Sequence, residues 1–259
     1  MSSHRVRTPV LAGNWKMNKG PSEATSFFGA FLELFPPRSD RTVVFFPPTI
    51  SLAAGRHALD RAGRADLGLG VQNLHWEAAG AFTGETSAPM AAAAGAGYAL
   101  VGHSERRHVF GETDAEVGLK VAAALDAGLI AIACVGETLE QRQAGQLDAV
   151  LARQLEAVLG ALPDGAADRL VIAYEPVWAI GTGVNATPDD AAEAHALIRE
   201  RLGRTVGPAL AADTPVIYGG SVKPDNAGAL LKARGVDGLL VGGASLDPVG
   251  FATIAAAGS

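Results

Sequence analysis

Short apolar segments alternate with longer segments of helical periodicity along the whole chain of 259 residues. The apolar segments are almost continuously hydrophobic, which is typical of strands that are covered on both faces of a parallel sheet. A polar segment that contains glycine follows such a strand, and a helical segment comes next. Eight strands are predicted, at residues 9–12, 42–46, 67–72, 98–101, 129–134, 170–174, 215–218 and 238–241.

Capping residues mark where several helices begin. Thr113 and Thr138 each stand three residues before a Glu or Gln, which is the spacing of a capping box. Thr187 and Asp247 each stand directly before a proline, and proline favours the first position of a helix. We therefore expect each of these four residues to cap a helix.

Repeated strand–helix units with no further strand pattern favour a closed barrel over an open doubly wound sheet. We predict an α/β fold in which residues 1–259 form a single (β/α)8 barrel domain, with eight parallel strands and an outer ring of helices. In such a barrel the catalytic groups come from the C-terminal ends of the strands and from the loops that follow them. Functional side chains are expected at those positions.

The composition excludes several classes of protein. With 21 basic and 27 acidic residues the formal net charge is −6, and without a basic stripe the chain is a poor candidate for nucleic-acid binding. The longest uncharged run, which contains residues 88–102, is too short to supply the ~20 apolar residues of a membrane span. The single cysteine, Cys134, and an N-terminus without a signal-peptide pattern indicate a cytoplasmic location. Neither nucleic acid nor a membrane is an expected partner.

No metal or nucleotide chemistry is expected. The six histidines show no pairing at i+3 or i+4, so His57, His75, His108 and His195 are assigned structural or surface roles. The chain also contains no P-loop and no dinucleotide-binding fingerprint. A phosphate site in this barrel would therefore serve a small substrate.

Three strand ends carry candidates for chemistry on an anionic substrate. Lys16, after the first strand, could supply a fixed positive charge, or it could be a solvated loop lysine. His103 follows the fourth strand, and Ser104 is expected to cap a short helix whose N-terminus would keep the imidazole neutral, although a purely structural histidine is an alternative. Glu175 ends the sixth strand, where burial would raise its pKa towards that of a useful base.

The loops after the last three strands have compositions suited to covering and binding a ligand. Residues 176–183 place Val, Trp, Ala and Ile between a proline and two glycines, which indicates a loop that closes over something, with a packed surface loop as the alternative. Paired glycines at 219–220 and 242–243 let the backbone approach a ligand and form an anion site. Phosphate is usually bound by these two loops of a barrel.

Five motifs together resemble the triosephosphate isomerase family, in the family's order and over nearly the whole chain. They are NWKMN at 14–18, GHSERR at 102–107, YEPVWAIGTG at 174–183, YGGSV at 218–222 and LVGGAS at 240–245. The resemblance implies a TIM barrel that reversibly converts dihydroxyacetone phosphate to D-glyceraldehyde 3-phosphate through an enediolate. It implies no metal and no organic cofactor, and a place in glycolysis and gluconeogenesis.

The resemblance also implies roles for matching residues. Glu175 would be the base that moves a proton between two substrate carbons, and a neutral His103 would polarise the carbonyl and shuttle protons between the enediolate oxygens. Lys16, with Asn14 beside it, would stabilise the charge on those oxygens, and Glu105 would hold Lys16 or His103 in place. The phosphate would lie on the backbone N–H groups of Gly181, Ser221, Gly242 and Gly243.

Closure of the loop 176–186 would, by the same resemblance, exclude water and keep the enediolate from losing phosphate. The C-terminal hinge of this loop departs from the family pattern. Many relatives have Lys followed by Thr or Val and then Ala, whereas this chain has Val184, Asn185 and Ala186. The departure puts the kinetics of the loop in doubt rather than the reaction.

Residues 72–73 and 80–85 match the family's long third loop, which projects into a partner subunit in relatives. Thr83 would then support the Asn14–Lys16 region of the partner. A homodimer through the loop around Thr83 is therefore expected.

Two other interpretations remain open on the residues alone. One is a different phosphosugar-processing barrel, such as a Schiff-base aldolase that uses Lys16. The other is a barrel that has lost catalysis and survives as a binding protein, although the presence of Asn14, Lys16, His103 and Glu175 argues against it.

Overall fold

A computed structural model of the chain describes residues 8–163, 165–180 and 186–258. Eight parallel strands close into a barrel, each paired with its neighbours in chain order, and β1 also pairs with β8. The strands are β1 (Val10–Asn14), β2 (Thr42–Phe46), β3 (Leu67–Val71), β4 (Tyr98–Val101), β5 (Ile130–Val135), β6 (Leu170–Tyr174), β7 (Val216–Tyr218) and β8 (Gly238–Val241). The predicted (β/α)8 TIM-barrel fold is confirmed.

Helices surround the strands. Those described are α1 (Pro21–Leu34), α2 (Leu52–Arg61), α3 (Ala88–Ala93), α4 (Ser104–Val109), α5 (Asp114–Asp126), α6 (Leu139–Gln143), α7 (Leu147–Gly160), α8 (Pro188–Val206), α9 (Pro208–Asp213), α10 (Ala227–Lys232) and α11 (Pro248–Ala256). Neighbouring helices pack on each other around the ring, with α1 between α2 and α11, and α7 between α5 and α8. No helix among the described residues is long and apolar enough to cross a membrane.

The predicted caps are present. Thr113, Thr138 and Thr187 each form a capping box, and the side chain of Asp247 accepts a hydrogen bond from the backbone N–H of Gly250. Strand bounds agree less closely: β1 continues to Asn14 rather than ending at residue 12, because its pairing with β2 extends to that residue. Asn14 therefore stands on the barrel itself and not in the loop that follows.

Two layers of apolar side chains form the core. Alternate strand residues, such as Ala12, Val44, Leu100 and Ile132, fill the inside of the barrel, and the second layer packs between the strands and the helices. Because the interior is filled, a ligand of the barrel is expected at one of its ends rather than between the strands.

Aromatic packing fixes the start of the loop after β1. Trp15 is fully buried, with ring-centroid distances of 4.7 Å to Phe27, 5.5 Å to Phe28 and 6.3 Å to Phe45. Lys16 therefore follows a residue whose position is fixed by tight packing.

Candidate active site

A cavity of about 390 Å³ lies at the C-terminal ends of the strands. Asn14, Lys16, His103 and Glu175 reach it from the ends of β1, β4 and β6. Its other lining residues are Ile180, Gly219, Gly220, Ser221, Val222, Lys223, Leu240, Gly242, Gly243 and Ala244. The structure thus brings together the predicted catalytic residues and three of the four positions predicted to bind phosphate. The fourth, Gly181, lies outside the described residues, as do Val184 and Asn185 of the predicted hinge.

Glu175 follows β6 directly and is held by two groups from the loop after β4. Its Oε2 accepts a hydrogen bond from the backbone N–H of Ser104 at 2.8 Å, and its Oε1 lies 3.1 Å from Nε2 of His103. On its other side, a Cβ at Gly219 would lie 3.0 Å from Cγ of Glu175, closer than such atoms normally approach. Glycine at position 219 therefore leaves room for the carboxylate side chain.

The tautomer of His103 follows from its hydrogen bonds. Nδ1 accepts the backbone N–H of Glu105 at 3.2 Å, so the proton of a neutral ring is assigned to Nε2, the atom that faces Glu175. The prediction that Ser104 caps α4 is wrong, because the imidazole of His103 takes that role and Ser104 is the first helical residue. A cap that accepts through Nδ1 leaves Nε2–H free to donate towards the cavity.

Lys16 adopts a backbone conformation that residues other than glycine rarely visit, with φ of 51°. Two hydrogen bonds hold it there: its N–H donates to Oδ1 of Asn14 at 3.0 Å, and its carbonyl oxygen accepts from Nε2 of Gln72 at 2.8 Å. A sparsely populated conformation that the surroundings enforce is typical of a functional position.

The ammonium of Lys16 forms an ion pair with Glu105, whose Oε1 accepts from Nζ at 2.5 Å. Oε2 of Glu105 is 3.8 Å from Nδ1 of His103, which is too far for a hydrogen bond. Of the two partners expected for Glu105, its carboxylate therefore pairs with Lys16, and its backbone N–H holds His103.

Sequence analysis missed a second buried carboxylate, Glu137, which follows β5 much as Glu175 follows β6. Its Oε1 accepts hydrogen bonds from Nε1 of Trp178 at 2.8 Å and from the hydroxyl of Tyr174 at 3.0 Å. Burial raises the pKa of Glu137, and burial together with the nearby carboxylate raises the pKa of Tyr174. The rule used for Glu175, an acidic residue at the end of an apolar strand, would also have found Glu137.

A second cavity, of about 260 Å³, adjoins the first and shares Asn14, Lys16 and His103 with it. Glu105, Met17 and Phe110 also line it. Thr83, the remaining predicted site residue, lies in the exposed loop between β3 and α3 and lines neither of these two cavities.

Comparison with known proteins gives consistent matches over the whole barrel. The sequence model of the family described as triosephosphate isomerase matches residues 9–258. A triosephosphate isomerase of Symbiobacterium thermophilum is 50% identical over 252 residues, which cover 97% of both chains. Those of Solibacter usitatus and Chloroflexus aurantiacus are 47% and 48% identical, over 96% of this chain and 99% and 98% of the relatives.

Proposed function

Because the chain belongs to the triosephosphate isomerase family, we propose that its C-terminal cavity interconverts dihydroxyacetone phosphate and D-glyceraldehyde 3-phosphate, the isomerase step of glycolysis and gluconeogenesis. The observation that carries the proposal is the convergence of a carboxylate, an imidazole and an ammonium group on one cavity. These are the groups of Glu175, His103 and Lys16. The reaction moves protons within one substrate molecule, so it needs a base, a proton donor at oxygen and a counter-charge, which these three residues supply.

Proton transfer at carbon is assigned to Glu175. Its carboxylate is held by the backbone N–H of Ser104, which fixes the position of a base whose side chain is only 3% exposed. In this proposal one carboxylate oxygen removes a proton from one substrate carbon and returns it to the neighbouring carbon. A fixed, shielded base loses little free energy to reorganisation during that transfer.

His103 acts at the substrate oxygens. Its Nε2–H, which points at Glu175 in the described structure, donates instead to the carbonyl oxygen of a bound substrate and then passes a proton between the two enediolate oxygens. The bond from the Glu105 N–H to Nδ1 supports this assignment because it fixes the tautomer that donates from Nε2.

Lys16 supplies a fixed positive charge to the developing enediolate, and Asn14 positions its backbone. The pairing of its ammonium with Glu105 is the environment of a permanent cation rather than of a nucleophilic amine. The aldolase interpretation is therefore not favoured.

The phosphate group is assigned to the backbone N–H groups of Ser221, Gly242 and Gly243, three residues that line the cavity, with Gly181 as a fourth donor outside the described residues. By the family resemblance, closure of the loop 176–186, whose residues 181–185 lie outside the described residues, would exclude water from the site. In this proposal the negative charge of the phosphate is stabilised mostly by backbone dipoles, which a protein with a net charge of −6 can supply without additional basic residues.

A homodimer is the proposed assembly. The second cavity, of about 260 Å³, lies next to Lys16, and two apolar side chains that line it are exposed, Met17 at 95% and Phe110 at 70%. Large exposed apolar side chains next to a cavity are typical of a protein–protein contact. In this arrangement Thr83 of the partner subunit enters the second cavity and supports Lys16. Sedimentation is expected to give twice the mass of the chain, and a monomer would contradict the proposal.

The remaining expectations, a single barrel domain over residues 1–259 and a cytoplasmic location, are part of the same proposal. Its direct test is a coupled assay in which the purified protein converts D-glyceraldehyde 3-phosphate to dihydroxyacetone phosphate. Turnover is expected without any added cofactor, and borohydride added with dihydroxyacetone phosphate is expected to trap no adduct at Lys16. Absence of turnover, or a reduced adduct at Lys16, would refute it.

A further inference from the structure

Gln154, on α7, is a buried polar side chain that binds the end of a barrel strand. It is 3% exposed, and its amide pairs with both backbone polar groups of Gly136, the residue directly after β5. Its Oε1 accepts the N–H of Gly136 at 2.7 Å, and its Nε2 donates to the carbonyl oxygen of Gly136 at 3.2 Å. One side chain from the outer ring of helices thus holds the backbone where β5 ends.

Gly136 in turn lies against the backbone of the proposed base. A Cβ at this position would be 1.8 Å from the carbonyl oxygen of Glu175 and 2.6 Å from its carbonyl carbon, distances that non-bonded atoms do not reach. The preceding residue, Val135, accepts the N–H of Glu175 at 2.8 Å through its carbonyl oxygen. The end of β5 therefore sets where the backbone of Glu175 lies, and a displacement of Gly136 would displace Glu175 as well.

A shift of this backbone would change the position of the carboxylate. Oε2 of Glu175 accepts the N–H of Ser104 at 2.8 Å, and its Oε1 is 3.1 Å from Nε2 of His103. Both partners come from the loop after β4, so Glu175 is held by its carboxylate from one side and by its backbone from another. Proton transfer is sensitive to displacements of about 1 Å, so both supports matter for a base.

The pairing with Gly136 suits glutamine and is not needed to attach α7. A primary amide offers a donor and an acceptor side by side, as a peptide group does, whereas a carboxylate only accepts and an apolar side chain does neither. The helix is already attached by apolar side chains that are buried, among them Leu151, Leu155 and Val158. The two hydrogen bonds of Gln154 therefore serve to hold Gly136 rather than the helix.

We propose that Gln154 is a positioning residue for the isomerase reaction: by holding Gly136 it fixes the backbone of Glu175, and thereby the distance from the carboxylate to the substrate carbons. The inference rests on the proposed function. Among the described residues, those that line the cavity of about 390 Å³ do not include Gln154, so it acts through Gly136 and Glu175 and not on the substrate. Its loss should slow proton transfer at carbon and leave the binding of phosphate unchanged.

The test compares Gln154→Met with Arg199→Met, which also removes side-chain hydrogen bonds to two backbone groups, but at the opposite end of the barrel. For each protein we would measure kcat and KM with D-glyceraldehyde 3-phosphate, the inhibition constant of inorganic phosphate, and the free energy of unfolding. Gln154→Met is expected to lower kcat per folded protein by about 10- to 100-fold, the range for misplaced catalytic geometry, with KM and the inhibition constant unchanged. Both variants should lose stability, but Arg199→Met should keep the wild-type kcat.

Loss of stability alone would lower only the amount of folded protein, and loosening of the whole site would also weaken the binding of phosphate. A fall in kcat with phosphate binding intact therefore separates positioning from structure. A wild-type kcat in folded Gln154→Met, or a weakening of phosphate binding as large as the fall in kcat, would overturn the inference.

If Gln154→Met does not fold, Gln154→Asn is the second variant. It keeps an amide that is one methylene too short to make both hydrogen bonds to Gly136. The same fall in kcat is expected, and a wild-type kcat would overturn the inference. An inactive wild type would instead refute the proposed function itself.

Discussion

Charged side chains at the two ends of the barrel face different surroundings. At the C-terminal end Glu175, His103 and Lys16 face a cavity of about 390 Å³. At the N-terminal end the guanidinium of Arg199 is bound by protein groups. It donates to the carbonyl oxygens of Ala211 and Thr214 and to Oδ2 of Asp237.

The contacts of Arg199 link the chain segments that lead into β7 and β8. Besides its bond with Arg199, Oδ2 of Asp237 accepts the N–H of Val216 at 2.9 Å, and the N–H of Val10 donates to the carbonyl of Asp237 at 3.0 Å. Substitutions at this end should therefore reduce stability and leave the chemistry intact. Substitutions at the C-terminal end should impair the chemistry and leave stability intact, because a site that holds charges ready for a ligand is not optimised for stability.

The largest expected effect is at the base. Glu175→Asp withdraws the carboxylate by one methylene from the bond with Ser104, and we expect kcat to fall at least about 100-fold, the scale of positioned general-base catalysis. Thermal unfolding of the variant should match that of the wild type. Near-wild-type turnover would remove Glu175 from the role of base.

Lys16→Met removes the positive charge and leaves Glu105 without its ammonium partner. We expect kcat/KM to fall by about 100-fold, with changes in both kcat and KM, because the charge contacts the substrate before and during the reaction. Steady-state kinetics of the variant check this. Unchanged constants would exclude Lys16 from the mechanism.

Arg199→Met tests the opposite end of the barrel. It removes the guanidinium donor from two carbonyl oxygens and from the carboxylate of Asp237, and the free energy of unfolding should fall by about 2 kcal/mol, as for hydrogen bonds to a charged group. Denaturant unfolding measures this loss, and kcat should not change in the folded variant. A specific loss of kcat would show that the two ends are coupled.

The smallest expected effect is a change of folding stability with pH. His195 is 1% exposed, its Nδ1 lies 2.9 Å from the carbonyl oxygen of Gly235, and burial lowers its pKa from 6.5 to about 4. Between these values the unfolded chain takes up the proton first, so folding stability decreases as the pH falls from 6.5 towards 4, by about 0.8 kcal/mol at pH 6. The free energy of unfolding of the wild type and of His195→Asn, measured over this pH range, checks the prediction. The variant should lack this part of the pH dependence, and the same pH dependence in both proteins would contradict it.

Most of the fold was predictable because its signals are local. A strand covered on both faces must be continuously apolar, and a helix N-terminus needs a side-chain acceptor within a few residues, so both appear in short stretches of sequence. The cap of α4 is the exception: the sequence offers Ser104, but Nδ1 of His103 reaches the N–H of Glu105 instead.

The site was predictable in part. Motifs at the strand ends point to Glu175, His103 and Lys16, and the structure places all three around one cavity. The bond from the Ser104 N–H to Glu175 could not be foreseen, because the two residues are 71 positions apart along the chain. The bond between Lys16 and Glu105 spans 89 residues, and only the closed barrel decides that the carboxylate of Glu105 pairs with Lys16 rather than with the imidazole of His103.

By itself, then, the sequence determined the eight strands, the helix starts and the chemical groups at the ends of the strands, since each depends on neighbours within a few residues. The tertiary structure decided which of these groups come into contact, through which hydrogen bonds and with which backbone conformation. It fixed the donor atom of His103, the left-handed backbone of Lys16 and the bond from the Ser104 N–H to Glu175. These depend on distances of a few ångströms between residues far apart in the chain, which closure of the barrel sets.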